Sequence, residues 1–329
     1  MQLRCGKNSV RFFVSEYGLF IQLWHFGMNI GDRNPEFILF AQHGWSDNGK
    51  DINTLAVALA TQDTVVIAPS LGLINTYWRI KSLVSKLEKL VLEAIGQYPQ
   101  ARLKIIGHSL GGLIWLELLD LHPEWHAQVH SFVLIGSPVG GSHLARLIDP
   151  LGLGIGMARD LGKNRRALAT KIAQKIPTLA IASDLGNGSD GMVTLENTKF
   201  NYAHFICVND IPHAHLKCHQ AMIPLIQDFW LNPQINLTQI DWIAELLTFL
   251  KNIPGMTDAN YQNLAKSQVL LRLTQGLTVH TYTNLAKIEH IFVTNAQQQC
   301  LYAGYVGWLH SAHLHKSLLE IKKLFPTLD

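Results

Sequence analysis

The stretch LKIIGHSLGG (residues 103–112) decides the fold, because it places a Gly-x-Ser-x-Gly pattern directly after an apolar run. The apolar run predicts a strand over Arg102–Ile106, and the residues Leu110–Leu121 predict a helix. The glycines between them permit a close backbone approach that a Cβ atom would obstruct. A sharp turn from strand to helix exposes the serine hydroxyl. Ser109 is therefore the candidate nucleophile.

Strand-like and helix-like segments alternate on both sides of this stretch over the first 230 residues. Apolar runs predict further strands at Arg11–Ser15, Phe20–Phe26, Glu36–Gln42, Thr64–Pro69, His130–Gly136, Pro177–Ser183 and Ala203–Val208. Apolar residues at a helical period predict helices at Asn75–Tyr98 and at about His219–Trp230. Continuous apolar strands separated by helices are typical of a parallel sheet covered on both faces. We therefore predict an α/β fold with a mostly parallel central sheet.

The alternation stops at Leu231–Leu237, which is polar and contains a proline. We therefore predict a catalytic domain over residues 1–232 and a small α+β appendage over residues 233–329. For the appendage, the patterns predict helices at Asp241–Leu250, Asp258–Leu273 and Gly307–Phe325, and strands at Leu277–Tyr282, Ile288–Thr294 and Cys300–Val306. The last two strands are expected to pair across the polar turn Asn295–Gln299. The appendage carries no motif that indicates its role.

The composition excludes several classes of protein. Lys and Arg number 27 against 24 Asp and Glu, and only 16% of the residues are charged, against roughly 25% in typical soluble domains. A net charge of +3 does not provide the broad basic field of a nucleic-acid partner. With 48% hydrophobic residues the chain is not disordered. The low content of charged residues is also compatible with an uncharged, hydrophobic substrate.

Targeting and metal-binding signals are weak in this sequence. Residues Met1–Val10 contain no apolar segment of a signal peptide, and no run reaches the roughly 18 apolar residues of a membrane-spanning helix. We therefore expect a cytoplasmic protein, with peripheral membrane or lipid contact left open. The four cysteines form no C-x-x-C pair, and the histidine groups lack acidic or cysteine partners, so no metal and no cofactor is expected.

A serine hydroxyl is a poor nucleophile until a base removes its proton, and in this type of fold the chain order is Ser, acid, His. Asp190, within Ser189–Val193, follows the predicted strand Pro177–Ser183 on a polar loop. The D-G-x-V pattern that it begins recurs in serine hydrolases and favours it as the acid. Asp184, directly at the end of the strand, is the alternative. Either aspartate could also simply belong to a surface turn.

Two histidines compete for the role of general base. His213 and His215 both follow the predicted strand Ala203–Val208 and precede the last helix of the catalytic domain. The H-x-x-L spacing favours His213, and His215 stays the alternative. His204 lies within the strand, which indicates a structural role.

The attack on a carbonyl creates an oxyanion that needs backbone donors where the charge develops. One donor is expected to be the N–H of Leu110, directly after the nucleophile. The other is expected from the loop after Glu36–Gln42, where the N–H of Trp45 follows His43 and Gly44. The Trp45 ring either lines an acyl pocket or acts as a hydrophobic plug, and the two interpretations are compatible.

These residues together resemble the α/β-hydrolase superfamily, and more narrowly its triacylglycerol-lipase-like and PGAP-type (GPI inositol-deacylase-like) branch. The matching pieces are His43–Trp45, Gly107–Gly112, Gly136–Ala145, Ser189–Val193 and His213–Leu216. The third piece is similar to the T-P-H-x-G-S-x-x-A block of these lipases, with Ser137 for Thr, Val139 for His and one extra glycine. The resemblance covers about residues 36–230. It implies hydrolysis of a carboxylic ester through an acyl-enzyme.

The segment over residues 143–170 is a candidate cap or lid. Leu147–Leu161 is glycine-rich and apolar, and the basic residues Lys163, Arg165 and Arg166 follow it. Insertions at this point cover the nucleophile in the fold's relatives, and an apolar lid beside cations would suit a lipid-like substrate or a membrane surface. The alternative is an ordinary packed pair of helices.

The sequence therefore predicts a serine esterase or lipase-like hydrolase that acts on a hydrophobic acyl ester. The predicted nucleophile, base and acid are Ser109, His213 and Asp190. A thioesterase or an acyltransferase would use the same first step and remains an alternative. A non-catalytic binding protein with a hydrolase fold is the third hypothesis, and the complete Ser/Asp/His set argues against it.

Overall fold

The computed structural model describes the backbone of residues 2–5, 8–14, 20–25, 35–47, 49–70, 80–141, 160–237 and 242–325. Side chains are described from residue 35 onward within those ranges. The predicted lid segment lies outside the described residues up to position 159. No helix in the described ranges combines the length and the apolar character that crossing a membrane requires.

A nine-stranded sheet occupies the first part of the described chain, within residues 2–209. Its strands are β1 (Gln2–Cys5), β2 (Asn8–Val14), β3 (Phe20–His25), β4 (Phe37–Gln42), β5 (Thr64–Ile67), β6 (Arg102–His108), β7 (Val129–Ile135), β8 (Thr178–Asp184) and β9 (His204–Asn209). Their order is β1-β2-β3-β5-β4-β6-β7-β8-β9. The strands β4 to β9 run parallel, and β1 to β3 form an antiparallel edge against β5. The predicted mostly parallel sheet is confirmed.

Helices cover both faces of this sheet. They are α1 (Lys50–Leu59), α2 (Ile80–Gln97), α3 (Leu110–Leu121), α4 (Arg166–Ala173), α5 (Leu195–Thr198), α6 (His213–Leu216) and α7 (Met222–Leu231). The helices α2, α3 and α4 share one apolar core with the sheet, and α1 and α7 share the other. The predicted helix over Leu110–Leu121 is confirmed at both ends.

The strand β6 shows why apolar residues occur on both of its faces. Leu103 and Ile105 belong to the core under α2 and α3, whereas Ile106 belongs to the core under α1 and α7. Successive side chains of a strand point to opposite faces, so both sets are buried. Lys104 is the charged residue of this run, and its Nζ atom lies 3.8 Å from the centre of the Phe37 ring. Burial lowers the pKa of the Lys104 ammonium, and the ring face compensates part of its desolvation.

The register of the parallel strands brings distant loops to one edge. Gln42, the last residue of β4, pairs with Gly107 of β6, so the loop that follows β4 begins beside the Gly-x-Ser-x-Gly turn. Asp184, the last residue of β8, pairs with Asn209 of β9. The carboxyl ends of parallel strands are where open α/β sheets place their sites.

The appendage has its own sheet and its own apolar core. Its strands are β10 (Met256–Asp258), β11 (Gln268–Arg272), β12 (Thr278–Thr283), β13 (Glu289–Thr294) and β14 (Cys300–Val306), and its helices are α8 (Trp242–Lys251) and α9 (Ser311–Leu324). The sheet is antiparallel in the order β10-β14-β13-β12-β11. The pairing of β13 with β14 confirms the predicted turn over Asn295–Gln299.

The predicted helix over Asp258–Leu273 is wrong. That stretch contains the end of β10, a single 3₁₀ turn over Leu264–Lys266, and the strand β11. Leu271 and Leu273 are buried while the intervening Arg272 is exposed, which is the two-residue period of a strand. The short apolar run also fits a helical period, and pairing of Leu271 with Val279 of β12 decides between the two.

Candidate active site

Ser109 sits on the sharp turn between β6 and α3. Its backbone has φ of 53° and ψ of −121°, a left-handed φ that is strained for a residue with a side chain. Its N–H donates a hydrogen bond to the carbonyl oxygen of Ile135, 2.8 Å away, which fixes the turn on the neighbouring strand β7. The fold therefore holds this serine in a conformation that an isolated chain would avoid.

Two glycines permit the turn and the loop beside it. A Cβ atom at Gly107 would lie 2.5 Å from the Cα atom of Gly112, and a Cβ atom at Gly44 would lie 3.0 Å from the Cβ atom of Ser109. Gly107 therefore allows the start of α3 to fold back on β6. Gly44 allows the loop after β4 to approach the serine.

His213 and Asp190 form a buried pair next to this turn. The Nδ1–H of His213 donates to Oδ2 of Asp190 at 2.6 Å, and the side chains are 6% and 2% exposed. The backbone N–H of His213 also donates to the carbonyl oxygen of Asp190, 3.0 Å away. The other carboxylate oxygen of Asp190 accepts from the N–H groups of Met192 and Val193. These contacts fix the imidazole with Nε2 as the nitrogen that carries the lone pair.

The two alternative residues occupy different environments. His215 is exposed, two positions along the short helix α6. Asp184 accepts three backbone N–H bonds of 2.7 to 2.9 Å from Gly186, Asn187 and Gly188. The structure thus brings Asp190 to His213 and uses Asp184 to order the loop that leads to Asp190.

Ser109 and His213 open onto the same cavity of about 170 Å³. Its lining is Trp45, Ser46, Asp47, His108, Ser109, Pro138, Leu161, Met192, Val193, His213, Ala214 and Lys217. Apolar side chains make up one part of the wall, and the two charged residues, Asp47 and Lys217, are paired with each other at 2.7 Å. The cavity therefore suits a neutral group.

The two expected oxyanion donors both border the serine. Leu110 is the first residue of α3, so its N–H has no partner within the helix and lies at the positive end of the helix dipole. Trp45 follows Gly44 in the loop that approaches Ser109, and its half-buried ring lines the cavity and packs against the core under α2 and α3. Both interpretations of the Trp45 side chain therefore fit its position.

His108 is a site residue that the sequence analysis did not single out. Its Nε2–H donates to the carbonyl oxygen of His213 at 3.0 Å, and the two rings are 4.9 Å apart. Burial, and then the neighbouring His213, lower the pKa of the His108 imidazole well below its ordinary value. A neutral His108 can therefore hold the backbone of His213 without adding a competing charge. The only signal in the sequence is its place as the second residue of the Gly-x-Ser-x-Gly pattern.

Lys217 is a second residue of the cavity wall that the sequence did not indicate. Its Nζ atom lies 2.7 Å from Oδ2 of Asp47 and 3.3 Å from Oδ2 of Asp51. Burial lowers the pKa of the Lys217 ammonium, but its hydrogen bonds to the two carboxylates outweigh this and raise the pKa above its usual range. The pair connects the loop that carries Trp45 to the segment that follows His213.

The appendage contacts the segment that carries Asp190. Tyr261 donates from its hydroxyl to Oδ2 of Asp184 at 3.1 Å, and its N–H donates to the carbonyl oxygen of Asn187 at 3.2 Å. Beyond Asp190, the buried carboxylate of Glu196 lies 2.9 Å from Nζ of Lys251 in α8. The segment is therefore held by the appendage on both sides of Asp190.

The basic residues at the end of the predicted lid segment lie in its described part, and each pairs with an acidic residue. Lys163 lies 3.5 Å from Asp160, the Nε–H of Arg165 donates to Glu117 at 2.8 Å, and Arg166 pairs with Asp258 of the appendage. These pairs give Arg165 and Arg166 structural roles, the first within the catalytic part and the second between the two sheets. The lid itself stays a prediction.

Neither a protein-family model nor a curated protein matches the sequence. Among solved structures, the propeptide form of the Bacillus licheniformis lipase BlEst2 is 16% identical, with a TM-score of 0.50 over 82% of this chain and 64% of that chain. The mature form of BlEst2 is 18% identical over 60% of this chain and 93% of its own, with a TM-score of 0.46.

An α/β hydrolase from Novosphingobium aromaticivorans is also similar, at 18% identity over 69% of this chain and 99% of its own, with a TM-score of 0.45. The strand order, the helices on both faces and the likeness to the propeptide form of BlEst2 define the fold class. The chain has the α/β-hydrolase fold, with an added antiparallel sheet in its last third.

Proposed function

We propose that this protein is a serine hydrolase that cleaves a carboxylic ester of a hydrophobic acyl group through an acyl-enzyme. Ser109 is the nucleophile, His213 the general base and acid, and Asp190 the residue that orients the imidazole. The observation that carries the proposal is the 2.6 Å bond from His213 to Asp190, on a cavity that Ser109 also lines.

Acylation follows from the orientation of the imidazole. Because Nδ1–H is held by Asp190, Nε2 can accept the proton of the Ser109 hydroxyl as its oxygen attacks the ester carbonyl. The carbonyl oxygen becomes an oxyanion beside the N–H groups of Leu110 and Trp45, which stabilise it. His213 then donates its proton to the leaving alcohol, and the ester bond breaks to leave an acyl group on Ser109.

Deacylation repeats the same steps with water. His213 takes a proton from a water molecule, which attacks the acyl carbonyl, and the second oxyanion is stabilised by the same two N–H groups. The proton returns to Ser109 as the carboxylic acid leaves. Asp190 remains an anion throughout and stabilises the imidazolium that forms in each half of the reaction.

The cavity wall supports a hydrophobic acyl group. Pro138, Leu161, Met192 and Val193 contribute apolar surface, and burial of that surface by an alkyl chain is favourable. The charges of Asp47 and Lys217 cancel each other, so the cavity offers no unpaired charge to a carboxylate or an ammonium group on the acyl chain.

A fluorophosphonate probe tests the nucleophile. The wild-type protein should be labelled, and Ser109→Ala should lose the label. Ser85→Ala is the matched control, because Ser85 is exposed on α2 away from the cavity lining, and it should be labelled like the wild type. Undiminished labelling of Ser109→Ala would contradict the assignment of Ser109 as the nucleophile.

The substrate class is tested with p-nitrophenyl esters of increasing chain length and with an acyl thioester. Turnover should rise with chain length until the cavity is filled. Faster turnover of the thioester than of the ester of the same acyl chain would replace the esterase proposal with a thioesterase. Absence of both labelling and turnover in the folded wild-type protein would replace it with a binding protein.

A further inference from the structure

Three large apolar side chains stand out from one end of the appendage. Leu285 in the turn between β12 and β13 is fully exposed, and Leu309 and Trp308, just before α9, are 92% and 71% exposed. We call these three residues the apolar tip. Clustered exposed apolar side chains mark interaction sites.

Contacts between the turn and the helix hold the tip together. The indole N–H of Trp308 donates to the carbonyl oxygen of Ala286 at 2.7 Å. Glu289, at the start of β13, accepts a hydrogen bond from the Ser311 hydroxyl and lies 2.7 Å from Nε2 of His315. The turn and the first turn of α9 are therefore held together, so Leu285, Trp308 and Leu309 belong to one region of the surface.

Basic residues accompany the tip. Lys287 is exposed in the same turn as Leu285. Along α9, the residues that follow Leu309 at helical spacing on the exposed side include Lys316, Leu319 and Lys323, while Leu314, Leu318 and Ile321 are buried against the sheet. We call these three exposed residues the α9 stripe. Its i, i+3, i+7 spacing places them on one face of the helix.

Two glutamates, Glu289 and Glu320, lie near these lysines, and the exposed lysines outnumber them, with Lys287, Lys316, Lys322 and Lys323 in this region. Glu289 is engaged by Ser311 and His315. Glu320 is partly buried and lines a groove between α8 and α9. It lies four residues after Lys316 and three before Lys323, so it offsets part of their charge. The outer side of the tip and of the α9 stripe therefore combines projecting apolar groups with lysine ammonium groups.

We propose that the apolar tip and the α9 stripe bind the surface of an anionic lipid bilayer. The tip residues enter the boundary between headgroups and acyl chains, where a tryptophan buries its ring and keeps its N–H near polar groups. The lysines remain at the headgroup level, where the surface potential of anionic lipids attracts them. The cluster of exposed apolar side chains and the excess of lysines over glutamates favour this occupant over a protein partner. The proposal is independent of the chemistry at Ser109.

Flotation with lipid vesicles tests the proposal on the full chain. The protein should bind vesicles that contain phosphatidylcholine and phosphatidylglycerol, bind vesicles of phosphatidylcholine alone more weakly, and dissociate as salt is added. The double variant Trp308→Ser, Leu309→Ser should bind at least about tenfold more weakly, because each large apolar side chain that leaves water contributes about that factor or more when fully buried. Lys316→Gln with Lys323→Gln should remove most of the preference for anionic lipid.

Matched controls exclude a general effect of surface change. Leu121→Ser replaces a leucine that is 62% exposed at the end of α3, and Lys81→Gln replaces an exposed lysine of α2. Both should bind vesicles like the wild type, and circular dichroism should show that every variant is folded. Failure of the wild type to bind anionic vesicles, or equal binding by the tip variant, overturns the proposal.

Two further outcomes would also overturn it. Equal binding to neutral and anionic vesicles would remove the role of the lysines. A wild-type dimer that the tip variant converts to a monomer, without vesicle binding by either, would assign the tip to contact with a second copy of the chain.

Discussion

Tyr261 donates a hydrogen bond from its hydroxyl to Oδ2 of Asp184, 3.1 Å away. Tyr261 belongs to the appendage, and Asp184 is the last residue of β8. Because the other oxygen of Asp184 collects the N–H groups of the following loop, one phenol supports the carboxylate that shapes the approach to Asp190. The appendage is in this way connected to the orientation of His213.

Removal of the Tyr261 hydroxyl should lower the rate of the chemical step. We expect Tyr261→Phe to lower kcat for ester hydrolysis by roughly threefold to tenfold with KM little changed, which is the range of one ordinary hydrogen bond. Tyr282→Phe, a half-buried tyrosine of β12, is the control. The pH profile of kcat should also change for Tyr261→Phe, because Asp190 and His213 would be less rigidly placed. Identical kcat and pH profiles for the two variants would contradict the connection.

The two candidate bases should separate clearly in steady-state kinetics. His213→Ala should lower kcat/KM by about a thousandfold or more, because the serine then has no base. His215→Ala should stay within about threefold of the wild type, since exposed substitutions away from the site usually have small effects. Both are measured with the p-nitrophenyl ester that the wild type hydrolyses best. A loss confined to His215→Ala would move the role of base to that residue.

The turn at Ser109 should be sensitive to one added methyl group. Gly107→Ala places a Cβ atom 2.5 Å from the Cα atom of Gly112, so the free energy of unfolding should fall by about 1–3 kcal/mol or more through overpacking. Gly96→Ala is the control, because a Cβ atom there meets nothing within 4 Å and alanine stabilises a helix by up to about 1 kcal/mol relative to glycine. Urea unfolding of both variants measures the difference. A Gly107→Ala protein as stable as the wild type would contradict the close approach.

Stability should depend on pH through Glu196. Burial raises the pKa of this carboxyl, but Lys251 and Lys199 outweigh burial and lower the pKa to about 2 from the usual 4.5. A lowered folded-state pKa stabilises the fold above the unfolded value, and that stabilisation is lost as the pH falls from about 4.5 toward 2. Glu196→Gln should be less stable than the wild type at neutral pH and less sensitive to acid over that range. Thermal unfolding from pH 7 to pH 3 checks both, and parallel curves for the two proteins would contradict the assignment.

Local patterns carried much of the fold prediction. The strand β6, the turn at Ser109 and the helix α3 follow one another in the chain, so the sequence alone sufficed to locate them. Asp258–Leu273 failed because a short apolar run fits two periods, and only its partner strand β12 decides between them. The residues of this run do not by themselves determine that it pairs with β12 as a strand.

Candidate site residues were predictable only where chain order and loop position constrain them. Ser109, Asp190 and His213 each follow a strand end, and parallel strands bring those ends together. His108 and Tyr261 could not be found in this way, because their contacts depend on how loops and domains pack. His108 donates a hydrogen bond to His213, and Tyr261 donates one to Asp184. In both pairs the donor and the acceptor are far apart in the sequence.

The ion pairs between the appendage and the preceding part of the chain have a consequence for how the protein unfolds. Lys251 with Glu196, and Asp258 with Arg166, are largely buried ion pairs, and each joins a residue of the appendage to a residue of the preceding part of the chain. Separation of the two parts would leave Lys251, Arg166 and Asp258 without these counterions, which is strongly unfavourable for buried groups. The catalytic part and the appendage should therefore unfold in a single cooperative transition, with one calorimetric peak for the whole chain.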